Sequence, residues 1–359
     1  MKIAQIAPLY ESCPPQLYGG TERVVSHLTE QLVSLGHDVT LFASGDSRTT
    51  ARLEPFSKRA LWRDEAVRDT LPYHLMMLDE VRRRADEFDV LHFHTDYLHF
   101  PFFADCWEKT VTTLHGRLDM PDLHAISRRY PMMPLVSIST AQRTPMPWAN
   151  WCATVHHGLP LGLHRAGSGS GGYLAFLGRF APEKAPGRAI EIALRAGVPL
   201  QLAAKVDPVD RKFFHSEIEP LLNEPLIEYV GEIGDADKAA FLGDAVAMLF
   251  PIEWPEPFGL VLIEAMAAGT PVIAYGHGSV PELIEHGVNG FIVDNVDDAA
   301  AAVPLARRLD RGAIRACFEE RFSDERMALD YVGIYQKLLR QSRGAQALGA
   351  SAGEPQDAD

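Results

Sequence analysis

The sequence has little cysteine: its 359 residues include four, Cys13, Cys106, Cys152 and Cys317, which lie far apart and form no CxxC pair. A disulfide framework and a cysteine-based zinc cluster are therefore excluded, and a reducing, cytoplasmic location is expected. The sequence also lacks an apolar run of about 18 residues, so it predicts no membrane-spanning helix. Its beginning does not show the charged, apolar and small-residue regions of a targeting segment.

Positive charge is scarce as well. Lys and Arg number 34 and Asp and Glu number 48, which gives a formal net charge of −14. Such a chain has no diffuse basic surface for nucleic acid, and an anionic ligand has to bind at a local group of cations. Apolar residues make up 47% and charged residues 23%, the proportions of a globular protein, and the length predicts two domains.

Several common site signatures are missing. The chain has no GxGxxG fingerprint, which argues against a nicotinamide-dependent dehydrogenase, and it has neither a Walker lysine loop nor a GxSxG nucleophile elbow. His92 and His94 alternate along one predicted strand, but no carboxylate or cysteine accompanies them at a metal-ligand spacing. The sequence therefore predicts no metal site.

The sequence does contain an alternation of short apolar runs and helical patterns, which predicts an α/β protein with mostly parallel sheets. Helices are predicted at 21–35, 73–85 and 260–268. Strands are predicted at 2–9, 39–43, 90–93, 111–114, 135–138, 173–177, 200–203, 227–230, 247–250 and 272–274.

The alternation stops at 163–172, a segment rich in Gly and Ser that we interpret as a linker, and then starts again. We therefore predict two doubly wound domains, residues 1–162 and 173–324, that face a central cleft. Ligands of such sheets bind outside the carboxyl ends of the strands. The last residues, 342–359, are small and polar, which predicts a disordered tail.

Candidate binding residues follow predicted strands. Gly19 and Gly20 lie between the first strand and the first helix, where they suit either a close approach to an anion or a tight turn. His115 follows the strand at 111–114, and its ring suits a ligand or a structural role. Arg179 and Lys184 follow the first strand of the second domain. Two such cations can neutralise a diphosphate, although a pair of surface charges would look the same in isolation.

The stretch EWPEPFGLVLIEAMAAGTPV is the most specific part of the sequence. Proline and glycine around Glu256 predict a loop, whereas Glu264 lies within the helix at 260–268. Glycosidase carboxylates lie about 5–9.5 Å apart, and eight residues of helix rise about 12 Å. Two separate tasks are therefore favoured over a shared one. The backbone N–H groups near Gly259, where the helix starts, suit an anion.

Together these features resemble family four of the retaining glycosyltransferases, as found among bacterial sugar-nucleotide-dependent enzymes, which have the GT-B fold. The resemblance covers roughly residues 1–340, and the E-x7-E stretch is its most specific part. It implies an α/β architecture of two Rossmann-like domains, with a helix at 325–341 that crosses back onto the first domain.

The resemblance also implies a donor site, in which Arg179 and Lys184 hold the diphosphate of a UDP- or GDP-linked sugar. Glu256 would contact the sugar hydroxyls, Glu264 would contact the ribose, and His115 would lie against the sugar. Arg179, Lys184, Glu256 and His115 are accordingly the candidate catalytic residues. Further donor contacts are implied at Gly19, Gly20, Phe258, Gly259 and Leu260.

The sequence does not identify the acceptor, which is a small molecule, a glycan or a lipid, the last with peripheral membrane contact. Loops of the first domain are expected to bind it, with Tyr10, Tyr18 and Asp96 as candidates. Where the family often has a Gly-rich turn, this chain reads LAAKVD, which makes Lys205 a candidate for a further phosphate or base contact.

The implied activity is transfer of a hexosyl group from the nucleotide sugar to that acceptor with retention of anomeric configuration. No cofactor and no metal ion is expected, and the leaving diphosphate would assist attack on the same face. Two alternatives stay open. One is a sugar-nucleotide epimerase of the same fold, and the other is a sugar-nucleotide-binding protein without catalysis, against which the intact set of Arg179, Lys184, Glu256 and Glu264 argues.

Overall fold

The structure is a computed structural model that describes residues 1–16 and 19–351, with side chains described as far as Gln341. The chain divides into two compact units. The N-terminal unit comprises Met1–Ile138, Pro145–Val155 and Met327–Asp359, and the C-terminal unit comprises Ser139–Thr144 and His156–Arg326. The main boundary therefore lies near residue 155, and the C-terminal helix belongs to the N-terminal unit.

Each unit is built on one parallel sheet, with seven strands in the order β3-β2-β1-β4-β5-β6-β7 and six in the order β10-β9-β8-β11-β12-β13. The first sheet contains β1 (Lys2–Ile6), β2 (Asp38–Ala43), β3 (Arg52–Pro55), β4 (Val90–Phe93), β5 (Thr110–Thr113), β6 (Leu135–Ser137) and β7 (Trp151–Thr154). The second contains β8 (Leu174–Arg179), β9 (Leu200–Lys205), β10 (Ile227–Gly231), β11 (Ala247–Phe250), β12 (Val272–Tyr275) and β13 (Gly290–Val293).

Helices connect most of the strands in both units, as is usual for parallel pairing. They are α1 (Gly20–Ser34), α2 (Leu71–Arg83), α3 (Phe100–Phe103), α4 (Pro121–Arg129), α5 (Pro186–Ala196), α6 (Arg211–Phe213), α7 (Asp235–Asp244), α8 (Leu260–Ala267), α9 (Val280–Leu283), α10 (Val296–Ala306), α11 (Arg311–Arg321) and α12 (Asp324–Ser351).

The apolar pattern of the sequence explains these elements. Every residue of β1 except the first is buried, as expected for a central parallel strand covered on both faces. On α1 the buried apolar positions Val24, Val25, Leu28 and Leu32 recur at helical spacing. The α/β class and the doubly wound character of each unit are confirmed.

Strand order reverses beside one strand of each sheet. In the first sheet β1 lies between β2 and β4, and in the second β8 lies between β9 and β11. Doubly wound sheets bind ligands at such a switch point, outside the carboxyl ends of the strands. The segments that follow β1, β4, β8 and β11 contain Gly19, Asp96, Lys184 and Glu256 respectively, so each unit places candidate residues at its own switch point.

Three strands were not predicted, namely β3, β7 and β13, and all three lie at sheet edges. The residues of β3, RLEP, are exposed or half-buried, and those of β7 are half-buried throughout. An edge strand needs fewer apolar residues than a central one, so the sequences of β3 and β7 carry a weaker signal. This reason does not apply to β13, whose residues GFIV are mostly buried.

The segment 163–172, which was predicted to be a linker, is held by backbone hydrogen bonds to the rest of the C-terminal unit. Gly167 donates to Ala268 at 3.0 Å, and Gly171 donates to Asp244 at 2.9 Å. A Cβ on Gly167 would lie 2.2 Å from the carbonyl oxygen of Gly243. The Gly and Ser residues therefore permit close backbone packing here, which the sequence pattern alone does not distinguish from flexibility.

The predicted disordered tail begins inside α12, which continues through Ser351. Residues 342–351 include Gln, Arg, Ala and Leu, which favour helix, so the helix extends beyond the predicted end at 341. The remainder of the predicted tail, 352–359, lies outside the described residues. Within the described part of the chain, the helices are too short or too polar to cross a membrane.

Candidate functional site

The first group of site residues follows β8 in the C-terminal unit. Arg179 is the last residue of β8, and its guanidinium donates to Glu183 at 2.6 Å and to Asp210 at 3.3 Å. Its Nε is buried and has no hydrogen-bond partner among the residues that the structure describes. A buried N–H of this kind disfavours folding unless a ligand or water accepts from it. Arg179 therefore has a donor available for an anion.

The second cation of this group, Lys184, contacts the E-x7-E stretch directly. Its Nζ donates to the Glu256 carboxylate at 2.5 Å and lies 5.3 Å from the centre of the Trp254 ring. The exposed fraction is 18% for the Lys184 side chain and 12% for that of Glu256. Because both charges are mostly withdrawn from water, the electrostatic attraction between them is stronger than between two charges on the surface. The structure thus brings together two candidates that the sequence separates by 72 residues.

Glu256 lies in a loop, as the prolines around it predict, and the loop is held by its backbone. The N–H of Ser279 donates to the Glu256 carbonyl at 3.0 Å. Gly278 has φ +58°, and a Cβ there would lie 2.3 Å from the same carbonyl oxygen. Only glycine suits both the backbone conformation and the close approach. Glu256 therefore has a fixed backbone position.

The start of α8 follows this loop. Gly259 caps the helix with φ +81°, in the left-handed region, and Leu260 is its first helical residue. The Phe258 side chain is 2% exposed and packs against His157, with ring centres 4.8 Å apart. The Phe258 side chain belongs to the core, so a donor contact at this position would come from its backbone.

Glu264 lies on α8, as predicted, and only 2% of its side chain is exposed. Lys238 of α7 donates to its Oε1 at 2.9 Å and also lies 3.5 Å from Asp235. A buried carboxylate needs such a partner, since an isolated buried charge is very unfavourable. The separate partners of Glu256 and Glu264 are consistent with two different tasks.

The sequence analysis did not identify Lys238, Asp210 or Trp254 as site residues. Their local patterns are ordinary: Lys238 is one charged residue in the polar stretch DADK, and Asp210 ends a short 3-10 helix, Pro208–Asp210, after β9. The only sequence signal was the need of a buried Glu264 for a cation. Lys205 lies 3.7 Å from Asp207, so its charge is already partly compensated.

In the N-terminal unit, the glycine pair opens α1. Gly19 is the N-cap and Gly20 the first helical residue, and a Cβ on Gly19 would lie 2.7 Å from the Cβ of Pro15. Glu22 follows in the first helical turn, where burial raises the pKa of its carboxyl to about 7. Tyr18, an acceptor candidate, lies outside the described residues.

His115 lies two residues after β5, where its Nε2 is 2.9 Å from Nδ1 of His94. Burial lowers the pKa of His115 to about 3, so its ring is neutral at pH 7. A neutral imidazole carries one donor and one acceptor nitrogen, and the partner of one nitrogen decides the role of the other.

The acceptor candidates Asp96 and Tyr10 follow β4 and β1. Asp96 has φ +50°, which is a strained conformation for a residue other than glycine. Its side chain is exposed at the surface, and desolvation by surrounding atoms raises its pKa to about 6. Tyr10 stacks on Trp62 with ring centres 4.8 Å apart, and Trp62 is 66% exposed. Trp62 is a further candidate that the sequence analysis missed.

Among the residues that the structure describes, no group of three or more His, Cys, Asp or Glu is arranged to hold a metal ion. The structure therefore pairs Lys184 with Glu256 and Lys238 with Glu264, whereas the partners of Arg179 are Glu183 and Asp210. His115 and the glycine pair lie in the other unit.

Relatives of known name match parts of the chain. It is 29% identical over 218 residues to the D-inositol 3-phosphate glycosyltransferase of Mycolicibacterium smegmatis, covering 54% of this chain and 46% of that protein. It is 30% identical over 139 residues to the N-acetyl-alpha-D-glucosaminyl L-malate synthase of Bacillus anthracis, covering 34% of this chain and 36% of that one. The chain thus spans less than half the length of each of these relatives.

Solved structures share the fold over nearly the whole chain. Sucrose-phosphate synthase from Thermosynechococcus elongatus has a TM-score of 0.74 at 19% identity, covering 95% of this chain and 100% of its own. Anabaena HepE in complex with UDP and glucose has a TM-score of 0.71 at 18% identity, covering 93% and 98%. These likenesses establish the GT-B fold that the resemblance implied.

Two family models divide the sequence in the same way as the two sheets. The model described as Glycosyltransferase Family 4 matches residues 18–167, and that described as Glycosyl transferases group 1 matches residues 168–321. Since these adjoining matches account for most of the sequence, the chain belongs to the family-four glycosyltransferases of GT-B fold.

Proposed function

We propose that the protein transfers a hexosyl group from a nucleoside diphosphate sugar to an acceptor hydroxyl with retention of anomeric configuration. One observation carries the proposal. Arg179 ends the switch-point strand β8 and Lys184 follows it, and the buried Nε of Arg179 has no hydrogen-bond partner among the described residues. A buried N–H without an acceptor is unfavourable, and a phosphate oxygen of a ligand would supply the missing acceptor.

The diphosphate of the donor would replace carboxylates as the hydrogen-bond partner of Arg179 and Lys184. Glu183 and Asp210 accept from Arg179, and Glu256 accepts from Lys184. Phosphate oxygens satisfy the same donors with charge-assisted hydrogen bonds, and Arg179 adds its Nε. The Glu256 carboxylate, once released from Lys184, stays beside the phosphates and is available to the sugar hydroxyls.

The ribose would bind at Glu264. This carboxylate is anchored by Lys238, so its charge is retained in a buried position. A fixed carboxylate accepts hydrogen bonds from two neighbouring hydroxyls, which are the groups that a ribose presents. The assignment of sugar to Glu256 and ribose to Glu264 is supported by their separate cation partners.

The chemical step breaks the bond between the anomeric carbon and the diphosphate oxygen, and the acceptor oxygen bonds to the same face of that carbon. The acceptor hydroxyl proton passes to the departing phosphate oxygen, so no carboxylate nucleophile is needed. Negative charge develops on the diphosphate, where Arg179 and Lys184 stabilise it more than in the ground state. His115 would contact the sugar, and the glycine pair would approach the distal phosphate.

The names of relatives favour transfer over the alternatives. The matched proteins of known name include glycosyltransferases that act on inositol phosphate, and the HepE structure contains UDP and glucose. We therefore propose a UDP-linked hexose as the first donor to test. An epimerase would convert the donor in the absence of an acceptor, so product analysis with the donor alone distinguishes this candidate.

Calorimetric titration of the full chain with UDP, GDP and UDP-glucose, in EDTA, tests the proposal. We expect a nucleoside diphosphate to bind without divalent metal, and Arg179→Ala to weaken it at least tenfold. Lack of binding to every nucleotide tested would overturn the donor site. Binding that requires Mg²⁺ or Mn²⁺ would overturn metal independence and leave the family assignment intact.

A further inference from the structure

The loop between β11 and α8, residues 251–259, contains the carboxylate proposed to bind the sugar, yet it has few hydrogen-bond donors of its own. Three of its residues, Pro251, Pro255 and Pro257, have no backbone N–H. Pro257 and Phe258 are nevertheless buried, and a buried carbonyl oxygen is unfavourable unless it accepts a hydrogen bond. The carbonyl groups at this end of the loop therefore depend on donors from other segments of the chain.

Ser279, which immediately precedes α9, supplies two of these donors. Its backbone N–H donates to the Glu256 carbonyl at 3.0 Å, and its hydroxyl donates to the Phe258 carbonyl at 2.7 Å. A serine before a helix ordinarily accepts a hydrogen bond from an N–H of the first turn, but the Ser279 side chain makes no such bond. Its hydroxyl therefore holds the loop rather than its own helix.

Ser139 supplies the donor for the carbonyl between these two. It lies two residues after β6, and its hydroxyl donates to the Pro257 carbonyl at 2.6 Å. The same hydroxyl accepts from the N–H of Gln142 at 3.1 Å. Because a backbone N–H can only donate and a carbonyl can only accept, these two roles are not interchangeable. Ser139 and Ser279 are both 0% exposed, so water does not compete for either hydroxyl.

Glu282 joins the segments of the two serines to each other. It lies on α9, three residues after Ser279, and its carboxylate accepts from the N–H groups of Thr140 at 2.8 Å and Ala141 at 2.7 Å. Thr140 and Ala141 directly follow Ser139, and all of these residues belong to the C-terminal unit. The segments that contain the two serines therefore contact the loop and each other, and a displacement of one would break bonds to both of the others.

The carboxylate of Glu256 needs this support because its own partner is expected to leave it. In the absence of a ligand, Lys184 holds the carboxylate at 2.5 Å. In the proposed donor complex Lys184 binds phosphate, so the backbone of the loop then determines where the carboxylate lies. A binding group has to be held within about 0.5 Å of its productive position, and a loop needs outside donors for this, whereas a helix bonds its own carbonyl groups.

We propose that Ser139 and Ser279 are positioning residues of the donor site, which hold the carbonyl groups of the loop so that the Glu256 carboxylate faces the sugar. Both serines are fully buried and act through the loop, without touching the donor. Glu264 lies on α8, so its contact with the ribose does not depend on them. The effect on the sugar rests on the proposed function, whereas the order of the loop does not.

Hydrogen–deuterium exchange measured by mass spectrometry, on the full chain without ligand, tests the order of the loop. Ser139→Ala and Ser279→Ala should each raise the exchange rate of the amides in 252–260 about fivefold, as expected for local opening after the loss of one hydrogen bond. Ser139→Thr and Ser279→Thr keep the hydroxyl and should restore most of the protection. Unchanged exchange in an alanine variant would overturn the role of that serine.

Thr270→Ala is the matched control. Thr270 lies beyond the C-terminal end of α8 and is 0% exposed, and its hydroxyl donates to the Leu242 carbonyl at 2.6 Å while it accepts from Arg311. This variant therefore loses the same kind of buried bond as Ser139→Ala. Its exchange in 252–260 and its ligand affinities should equal those of the wild type. An increase at 252–260 as large as in the serine variants would show that the loop responds to any loss of stability, which would overturn the proposal.

Calorimetric titration with UDP and with UDP-glucose tests the effect on the donor. Each alanine variant should bind UDP-glucose about fivefold more weakly and should bind UDP as the wild type does, because UDP contains the ribose but not the sugar. An equal loss for both ligands, or no loss for either, would overturn the role toward the sugar. If the wild type binds neither ligand, that role is overturned together with the proposed function, and the exchange rates still decide the order of the loop.

Discussion

The ammonium of Lys238 lies 2.9 Å from Oε1 of Glu264, whose side chain is only 2% exposed. The two residues are 26 positions apart and lie on consecutive helices, α7 and α8. Lys238 is itself only 13% exposed, so both charges are largely shielded from water, and each one stabilises the charged form of the other. A carboxylate proposed to bind a hydroxyl pair is thus held by a cation that no local pattern reveals.

Lys238→Met should lower the free energy of unfolding by about 3 kcal/mol, because it removes the cation from a buried carboxylate. The double variant Lys238→Met with Glu264→Leu should be more stable than the single one, since both charges are then gone. Urea unfolding at pH 7 measures both. Lys212→Met, at an exposed lysine, is the control and should change stability by less than about 0.5 kcal/mol. A Lys238→Met protein as stable as this control would show that the ion pair contributes nothing.

Arg179→Ala and Lys184→Ala should each lower kcat about 100- to 1,000-fold, because each residue opposes charge that develops on the leaving diphosphate. The free energy of unfolding should decrease by much less than the activation free energy of the reaction increases. Steady-state kinetics with a donor and an acceptor, beside urea unfolding, separates the two effects.

Arg188→Ala is the control for these variants. Arg188 lies on α5, four residues after Lys184, and its side chain is 48% exposed. We expect its kcat to equal that of the wild type. A kcat in Arg179→Ala or Lys184→Ala that also equals the wild-type value would remove that residue from the mechanism.

The two glutamates should have separable effects. Glu264→Gln should weaken UDP binding, because the ribose is present in UDP, whereas Glu256→Gln should leave UDP binding nearly intact and weaken UDP-glucose binding. A hydrogen bond to a charged group contributes about 1.5–3 kcal/mol, so each effect should exceed tenfold. Calorimetric titration of both variants with both ligands gives the comparison. Equal losses in all four titrations would contradict the division of tasks.

Glu282 should make stability depend on acid pH. Burial opposes its ionisation, but hydrogen bonds from His156 and from the N–H groups of Thr140 and Ala141 outweigh burial and lower its pKa to about 2. The ordinary pKa is 4.5, so the carboxylate stabilises the fold above that pH, and this stabilisation is lost as the pH falls toward about 2.

Glu282→Gln should therefore lower the free energy of unfolding by about 2 kcal/mol at pH 7. The difference in unfolding free energy between this variant and the wild type should shrink between about pH 5 and about pH 2.5, where the wild-type carboxylate becomes protonated. Urea unfolding across that range measures the difference. The nearby exposed Glu285→Gln is the control and should show no such trend. A difference that stays constant with pH would argue against these hydrogen bonds to the carboxylate.

Gly278→Ala should disturb the Glu256 loop. Gly278 has φ +58°, and its added Cβ would meet the Glu256 carbonyl oxygen at 2.3 Å. Gly287→Ala is a matched control, because Gly287 also has a positive φ, +81°, but has open space around its Cβ. Both variants suffer strain of about 1–3 kcal/mol, and Gly278→Ala should lose more. Equal unfolding free energies for the two variants would mean that the Glu256 loop accommodates the added Cβ without a loss of stability.

Local pattern predicted much of the architecture and part of the site. The central strands, α1 and α8 were predicted because buried strands and amphipathic helices have distinct apolar periods. Glu256 in a loop and Glu264 in a helix followed from proline and glycine around one and helix formers around the other. Arg179 and Lys184 stood out because they are two cations close to the end of the first predicted strand of the second domain.

Other features depend on residues that are distant in the sequence. Edge strands such as β3 bury few apolar residues and therefore carry a weak sequence pattern. The Gly and Ser residues of 163–172 suit both a flexible linker and a closely packed segment, so composition does not distinguish the two. Lys238 meets Glu264, and Gln5 meets Tyr335 across 330 positions, only after crossover connections bring their elements together.

The sequence by itself therefore determined which segments form strands and helices, and which residues stand at strand ends, because those depend on neighbours along the chain. The tertiary structure alone decided the partners of each charge and the meeting of buried polar side chains from distant elements. These depend on burial and on hydrogen-bond donors supplied by other elements, and in a buried site a polar group must take the partners that packing gives it.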